Sequence, residues 1–124
     1  MNVVIRMKEL ATIIYKSLGA GYSESMYHRA FEVLLRIRGI PYETERIVPI
    51  VFEGHTIGNL RIDLIVNGET IVELKAIAKL NDAAKIQVHN YMKLTGLKKA
   101  VLVNFPQTLT AGLQPEILVF ESPE

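Results

Sequence analysis

Two apolar runs, one from about Gly58 to Val66 and one from about Thr70 to Ala76, flank the dipeptide Asn67-Gly68. Asn-Gly between such runs is a strong hairpin signal, because both residues accept the positive φ of a tight turn. The runs are apolar enough to be central strands, and a central sheet needs cover on both faces. Whatever else the chain does, it has to build that cover.

The flanking sequence supplies it. Val4, Met7, Ala11, Ile14 and Leu18 recur at helical spacing over residues 3–18, and Gly19 and Gly21 break the pattern. Ser23 can cap a second helix running to about Arg38, with Tyr27, Phe31, Leu34 and Leu35 on its apolar stripe. Pro41 to Phe52 reads as a first strand, closed by a turn at Glu53-Gly54-His55. After the hairpin, Asn81 or Asp82 caps a helix that ends at Gly96, with Ala83, Ile86, Gln87, Asn90, Tyr91 and Leu94 on one face. Lys99 to Phe105 reads as a buried strand and Glu116 to Glu121 as a final edge strand. Pro106 and Pro115 bound an irregular stretch between them. The expected class is α/β, bordering on α+β: a mixed central sheet flanked by helices, in a single domain over residues 1–124.

Composition excludes several chemistries. The chain has no cysteine, which removes disulfides, thiol catalysis and cysteine-type zinc sites. The net charge is +1, so a nucleic-acid partner cannot be argued from charge alone. Arg6, Lys8 and Glu9 interrupt the N-terminal apolar residues, unlike a signal peptide, and no apolar run approaches the roughly 18 residues of a membrane span. These features point to a soluble chain in the cytoplasm, with no membrane partner.

Charged groups inside the two central strands are the feature that calls for chemistry. Glu73 and Lys75 are two apart and share a face, and Asp63 lies on the preceding strand. Carboxylates in apolar strands are unfavourable unless paired or bound to a cation. The plain alternative is a half-exposed sheet with a Glu73–Lys75 surface pair, and E-x-K alone is too common to exclude it. Two further features weigh against that alternative. Glu24 falls on the stripe of Tyr27 and Phe31, and Gln87 lies on the inward face of the later helix. Three scattered histidines, His28, His55 and His89, form no metal-binding pair.

Gly21-Tyr22-Ser23-Glu24-Ser25-Met26-Tyr27 resembles the signature of the GxxExxY proteins, a family placed in the PD-(D/E)XK nuclease superfamily. The resemblance continues through Arg61-Ile62-Asp63-Leu64, Val72-Glu73-Leu74-Lys75-Ala76, Gln87-Val88-His89-Asn90-Tyr91 and Val103-Asn104-Phe105. It implies a restriction-endonuclease-like αβββαβ core with an extra N-terminal helix. It also implies a Mg²⁺- or Mn²⁺-dependent nuclease in which Glu24, Asp63, Glu73, Lys75 and Gln87 are catalytic. Asp63, Glu73, Glu24 and the Leu74 carbonyl would hold the metal, with Tyr27 and Tyr91 hydrogen-bonding to the site carboxylates. Ile62 stands where the nominal motif has proline. Arg61, Lys79 and Lys85 are placed to contact phosphates. The substrate is nucleic acid, DNA rather than RNA by superfamily analogy, and a homodimer would let one-site chains reach two strands. The alternative is a non-catalytic nucleic-acid-binding or regulatory module on the same fold. A structural or interaction protein is a third reading, favoured if Glu24 and Gln87 are both exposed and remote from Asp63.

The site carries one geometric condition. A strict two-residue turn at Asn67-Gly68 pairs Val66 with Glu69 and Asp63 with Val72, which puts Asp63 and Glu73 on opposite faces. A shared site requires a three-residue loop with a bulge, or a bulge elsewhere in the hairpin.

Overall fold

The computed structural model describes residues 1–109, 112 and 114–123, so part of the stretch between Pro106 and Pro115 lies outside the described residues. Helix α1 (Val3–Leu18) begins where the Asn2 side chain accepts the Ile5 amide at 3.1 Å. Helix α2 (Glu24–Ile37) begins where Ser23 accepts the Met26 amide at 3.3 Å. Strands β1 (Tyr42–Phe52), β2 (His55–Val66) and β3 (Thr70–Lys75) follow, then α3 (Asp82–Thr95), β4 (Lys99–Asn104) and β5 (Glu116–Glu121). Asn81 caps α3, and Gly96 in left-handed conformation (φ 74°) ends it.

The five strands form one sheet in chain order. Neighbours are antiparallel except β3 and β4, which are parallel. Parallel neighbours need a crossover, and α3 supplies it. Leu64, Val66, Val72, Leu74, Val101 and Val103 bury one face against α1 and α2. Ile65, Ile71, Ala100 and Leu102 bury the other against α3. Adjacent residues of β3 and β4 thus enter different cores, which is why these strands read as continuous apolar runs rather than alternating ones. The result is an α+β mixed sheet of restriction-endonuclease-like form. Among the described residues no helix is long and apolar enough to cross a membrane.

The hairpin between β2 and β3 has a three-residue loop. Val66 pairs with Thr70, Ile65 with Ile71 and Leu64 with Val72, leaving Asn67, Gly68 and Glu69 in the turn. Asn67 and Gly68 both take positive φ (57° and 67°), and the Glu69 amide closes onto the Val66 carbonyl at 3.2 Å. Continued by one step, this register sets Asp63 opposite Glu73. The ladder itself stops at Leu64 and Val72, so the two strands part there.

Strand β2 also changes face at the same place. Ile62 and Leu64 are two apart and would share a face in a regular strand. Ile62 instead joins the α3 core and Leu64 the α1–α2 core. The pair Glu45–Asp63 is missing from an otherwise continuous β1–β2 ladder between Tyr42 and Ile50, and Glu45 has φ 55°.

Candidate active site

The opening between β2 and β3 is filled by the two acids. The Asp63 amide donates to Glu73 Oε1 at 2.8 Å, and the Leu74 amide donates to Asp63 Oδ2 at 2.9 Å. The carboxylates take the place of the carbonyls that a continued ladder would offer, so the Asp63 and Leu74 amides are both satisfied. Glu73 is only 2% exposed. Its burial, then the charge of Asp63, push its carboxyl up to about 8, although the Asp63 amide and Lys75 pull the other way. Burial also raises Asp63, opposed by the Leu74 amide and by His28, Lys75 and Arg61. Each carboxyl is thus harder to ionise than a free one, because it is buried beside a second acid.

Lys75 lies at the end of β3 on the face of Glu73. Its Nζ donates to Gln87 Oε1 on α3 at 2.8 Å and stands 3.9 Å from Glu73 Oε2. Lys75, Gln87, Asn81 and Ala84 line a cleft of about 310 Å³ on this side. A second cleft, of about 200 Å³, opens on the α2 side, where Glu24, His28, Arg29, Glu45, Arg61 and Asp63 meet. Asp63 thus reaches the second cleft, which mixed charges line, while Lys75 and Gln87 line the first.

A family model described as the PD-(D/E)XK nuclease superfamily matches residues 2–115. The chain belongs to the PD-(D/E)XK nuclease superfamily. No curated protein matches it. Among solved structures, SSO0001 is similar with a TM-score of 0.57 at 18% identity, over 81% of this chain and 50% of that one. That likeness concerns the fold, and the chain spans half the length of SSO0001. The alkaline exonuclease LHK-Exo from Laribacter hongkongensis aligns at 15% identity and a TM-score of 0.43, over 99% of this chain and 72% of that one. Its complex with dAMP aligns at 17% identity and the same score, over 95% and 70%. Scores at that level carry no weight for fold or site.

In this PD-(D/E)XK chain the expected residues divide into three groups. Asp63, Glu73, Leu74, Lys75 and Gln87 are joined by direct hydrogen bonds or the Lys75–Glu73 ion pair. Glu24 and Arg61 stand at the mouth of the α2-side cleft with Asp63. Glu24 is exposed, not inward as its helical spacing predicts. It is the first residue of α2, and the first turn projects past the core that Tyr27 and Phe31 fill. Its carboxyl is nonetheless raised, by partial desolvation and then by Asp63. Tyr91 donates to the Arg61 carbonyl at 3.0 Å, and burial followed by the charges of Glu73, Asp63 and Glu24 raises its hydroxyl pKa. The site carboxylates are thus near Tyr91, but its hydrogen bond goes to backbone.

Tyr27 and the lysines lie elsewhere. The Tyr27 hydroxyl donates to the Gly19 carbonyl at 2.6 Å and accepts from Gln107 at 3.2 Å, correcting the expectation that it reaches a site carboxylate. Its ring stacks on Phe105 with centroids 4.3 Å apart. Gln107 also accepts the Gly21 amide at 2.8 Å. The glycine and tyrosine of the G-x-x-E-x-x-Y pattern therefore fasten the α1–α2 connection to the segment after β4, which sets where Glu24 emerges. Lys79 is exposed, and Lys85 pairs with Asp82 at the surface at 3.9 Å.

Residues that periodicity does not single out complete the surroundings. Asn104 is buried at the end of β4, accepts the Ile77 amide at 2.9 Å and donates to the Ile77 carbonyl at 2.9 Å. It fixes the chain as it leaves Lys75. Its signals were its place at the end of an apolar strand and the Val103-Asn104-Phe105 segment of the family resemblance. His28 comes to the site through α2, signalled only by its spacing four residues after Glu24, and Thr44 and Glu45 come through β1 with no local signal.

The acid pair fits a hard divalent cation. Mg²⁺ and Mn²⁺ are bound through one or two carboxylates and keep several waters. Asp63 Oδ1 and Glu73 Oε2 are the oxygens not taken by a backbone amide. Among the described residues no three His, Cys, Asp or Glu side chains are grouped to hold a metal, so water has to supply part of any coordination shell.

Proposed function

We propose that this chain is a divalent-metal-dependent nuclease of the GxxExxY branch, a single domain over residues 1–124 that hydrolyses phosphodiester bonds, in DNA rather than RNA. The observation that carries this reading is the Asp63–Glu73 pair, each acid accepting a backbone amide across a strand opening, beside a lysine that Gln87 holds. A buried acid pair raised in this way is a place where a cation replaces a proton favourably.

Asp63 and Glu73 are the ligands. The N–H and C=O of one strand residue leave by the same edge, so the Leu74 carbonyl faces the same opening as its amide and is the third protein oxygen. Glu24 acts through water from the rim. When bound, Mg²⁺ or Mn²⁺ supplies the charge that polarises the scissile phosphate and acidifies an attacking water. Lys75 presents its ammonium to the reacting phosphate and stabilises the charge that grows there. Gln87 fixes the Lys75 rotamer, so the ammonium needs no reorganisation during the reaction. Arg61, Lys79 and Lys85 contact neighbouring phosphates of the strand.

The test is cleavage of single-stranded, duplex and branched DNA and of RNA, with and without Mg²⁺ or Mn²⁺, using Asp63→Ala and Lys75→Ala as controls. The expected result is metal-dependent cleavage of DNA lost in both variants. Activity unchanged in both variants rejects this centre. Nucleic-acid binding without any cleavage favours the non-catalytic module instead.

A further inference from the structure

The Asp63 backbone is turned against the run of its strand. Its amide donates toward β3, to Glu73, while its carbonyl accepts from β1, from Thr44 Oγ1 at 3.3 Å. In a regular strand both groups leave by one edge. The turn coincides with the face change between Ile62 and Leu64, and with the missing Glu45–Asp63 pair. Across from it, Glu45 adopts a left-handed backbone that is unfavourable for a residue with a side chain. Such a conformation persists only where its surroundings hold it.

The hold comes through two side chains. The Thr44 hydroxyl has one proton, and donates it to the Asp63 carbonyl. His28 Nε2 lies 2.8 Å from Thr44 Oγ1, and in the tautomer protonated at Nε2 it donates to the hydroxyl and leaves the hydroxyl proton for the Asp63 carbonyl. His28 is buried in α2, with Nε2 also 3.4 Å from Glu32 Oε2. Glu32 Oε1 accepts from Tyr42 at 3.1 Å, and Tyr42 accepts from Arg36 at 2.9 Å. The chain of contacts anchors Thr44 to the helix.

We propose that Thr44 and His28 are positioning residues of the site: they hold the turned Asp63 backbone that aims its carboxylate at the opening and its amide at Glu73. The proposal rests on Asp63 being a metal ligand, as put forward above. Residues that orient a ligand from behind typically alter metal affinity about 10- to 100-fold when removed.

The experiment compares the full-length wild type with Thr44→Val, Thr44→Ser, His28→Leu, His28→Gln and Asp63→Ala. Mn²⁺ affinity is measured by titration calorimetry at pH 8, and amide exchange of Asp63 and Leu74 is measured without metal. Thr44→Val and His28→Leu should weaken Mn²⁺ binding about tenfold or more and speed exchange of both amides. Thr44→Ser and His28→Gln, which restore a donor, should return within about threefold of wild type. Thr44 is exposed, so its valine variant is expected to fold. Wild-type affinity and slow exchange in both Thr44→Val and His28→Leu overturn the proposal, as does a serine variant no better than valine. Asp63→Ala binding Mn²⁺ as tightly as wild type, or a wild type that binds none, removes the metal-centre reading and this proposal with it.

Discussion

Strand β2 is turned at both ends, and the two turns solve different problems. At its start, Glu53 and Gly54 form a two-residue turn with φ 49° and 80°, joining Phe52 to His55. That hairpin end is exposed, with Phe52 and Ile57 in the open, and β3 does not reach it. At its end, Asn67, Gly68 and Glu69 form a three-residue loop between strands buried on both faces. The extra residue shifts the pairing by one, and because side chains alternate, one residue decides whether Asp63 meets Glu73. The lesson is that register matters where two faces are buried and a site depends on both strands, and matters little where the ribbon stands in water.

The largest contrast should come from changing each turn by one residue. Deleting Glu69 should remove cleavage and Mn²⁺ binding to background, because it restores the register that separates the two acids. Inserting one glycine after Gly54 should leave both within about twofold, since that end packs on little. A Glu69-deleted chain that folds, by circular dichroism, and still cleaves would break the comparison. Within the correct register, Lys75→Ala should lower kcat about 10²- to 10³-fold, the usual effect of losing one preorganised group at a developing charge. Its melting temperature should hardly change, since Lys75 is only partly buried.

A third prediction concerns the proton held at the opening. Glu73 has an ordinary value of 4.5 and is pushed up to about 8 in the fold. A raised carboxyl contributes stability that is complete below about 4.5 and lost as pH rises through about 8. The metal-free protein should therefore melt at lower temperature at pH 9 than at pH 5. Glu73→Gln should remove that component and be the more stable protein at pH 9. Added Mn²⁺ should raise the wild-type melting temperature more at pH 9 than at pH 5, and leave Glu73→Gln nearly unmoved. A wild-type curve that rises with pH over this range would contradict the account. The smallest effect belongs to Tyr27→Phe, which should lower stability by about 1 kcal/mol through the lost Gly19 bond. Cleavage should stay within about twofold, because Gln107 still holds the Gly21 amide and the ring still stacks on Phe105.

Much of the fold was legible because its signals are local. Val3–Leu18 follows from one helical stripe, and Glu116–Glu121 from an apolar run beyond a proline. The trio Asp63, Glu73 and Lys75 stood out because charges in apolar strands are conspicuous. Other features depend on groups distant in sequence. Asn67-Gly68 announced a turn but not its length, which the pairing of Thr70 with Val66 decides. Glu24 obeyed the spacing of an inward residue, yet a helix's first turn can overhang the core it heads. Tyr27 found its partner in Gln107, and Asp63 its backbone support in Thr44, through contacts that only the folded sheet creates. The left-handed Glu45 left no trace in composition or period, since nothing about a glutamate in a strand announces a positive φ.

The central claim is that the strand opening is a divalent-metal centre. Crystals grown at pH 8 with MnCl₂ test it most directly, by anomalous difference density at the manganese edge. The account predicts a peak between the Asp63 and Glu73 carboxylates, within ligand distance of the Leu74 carbonyl and absent in Asp63→Ala crystals. No peak at that position, or one that persists in Asp63→Ala, would contradict it.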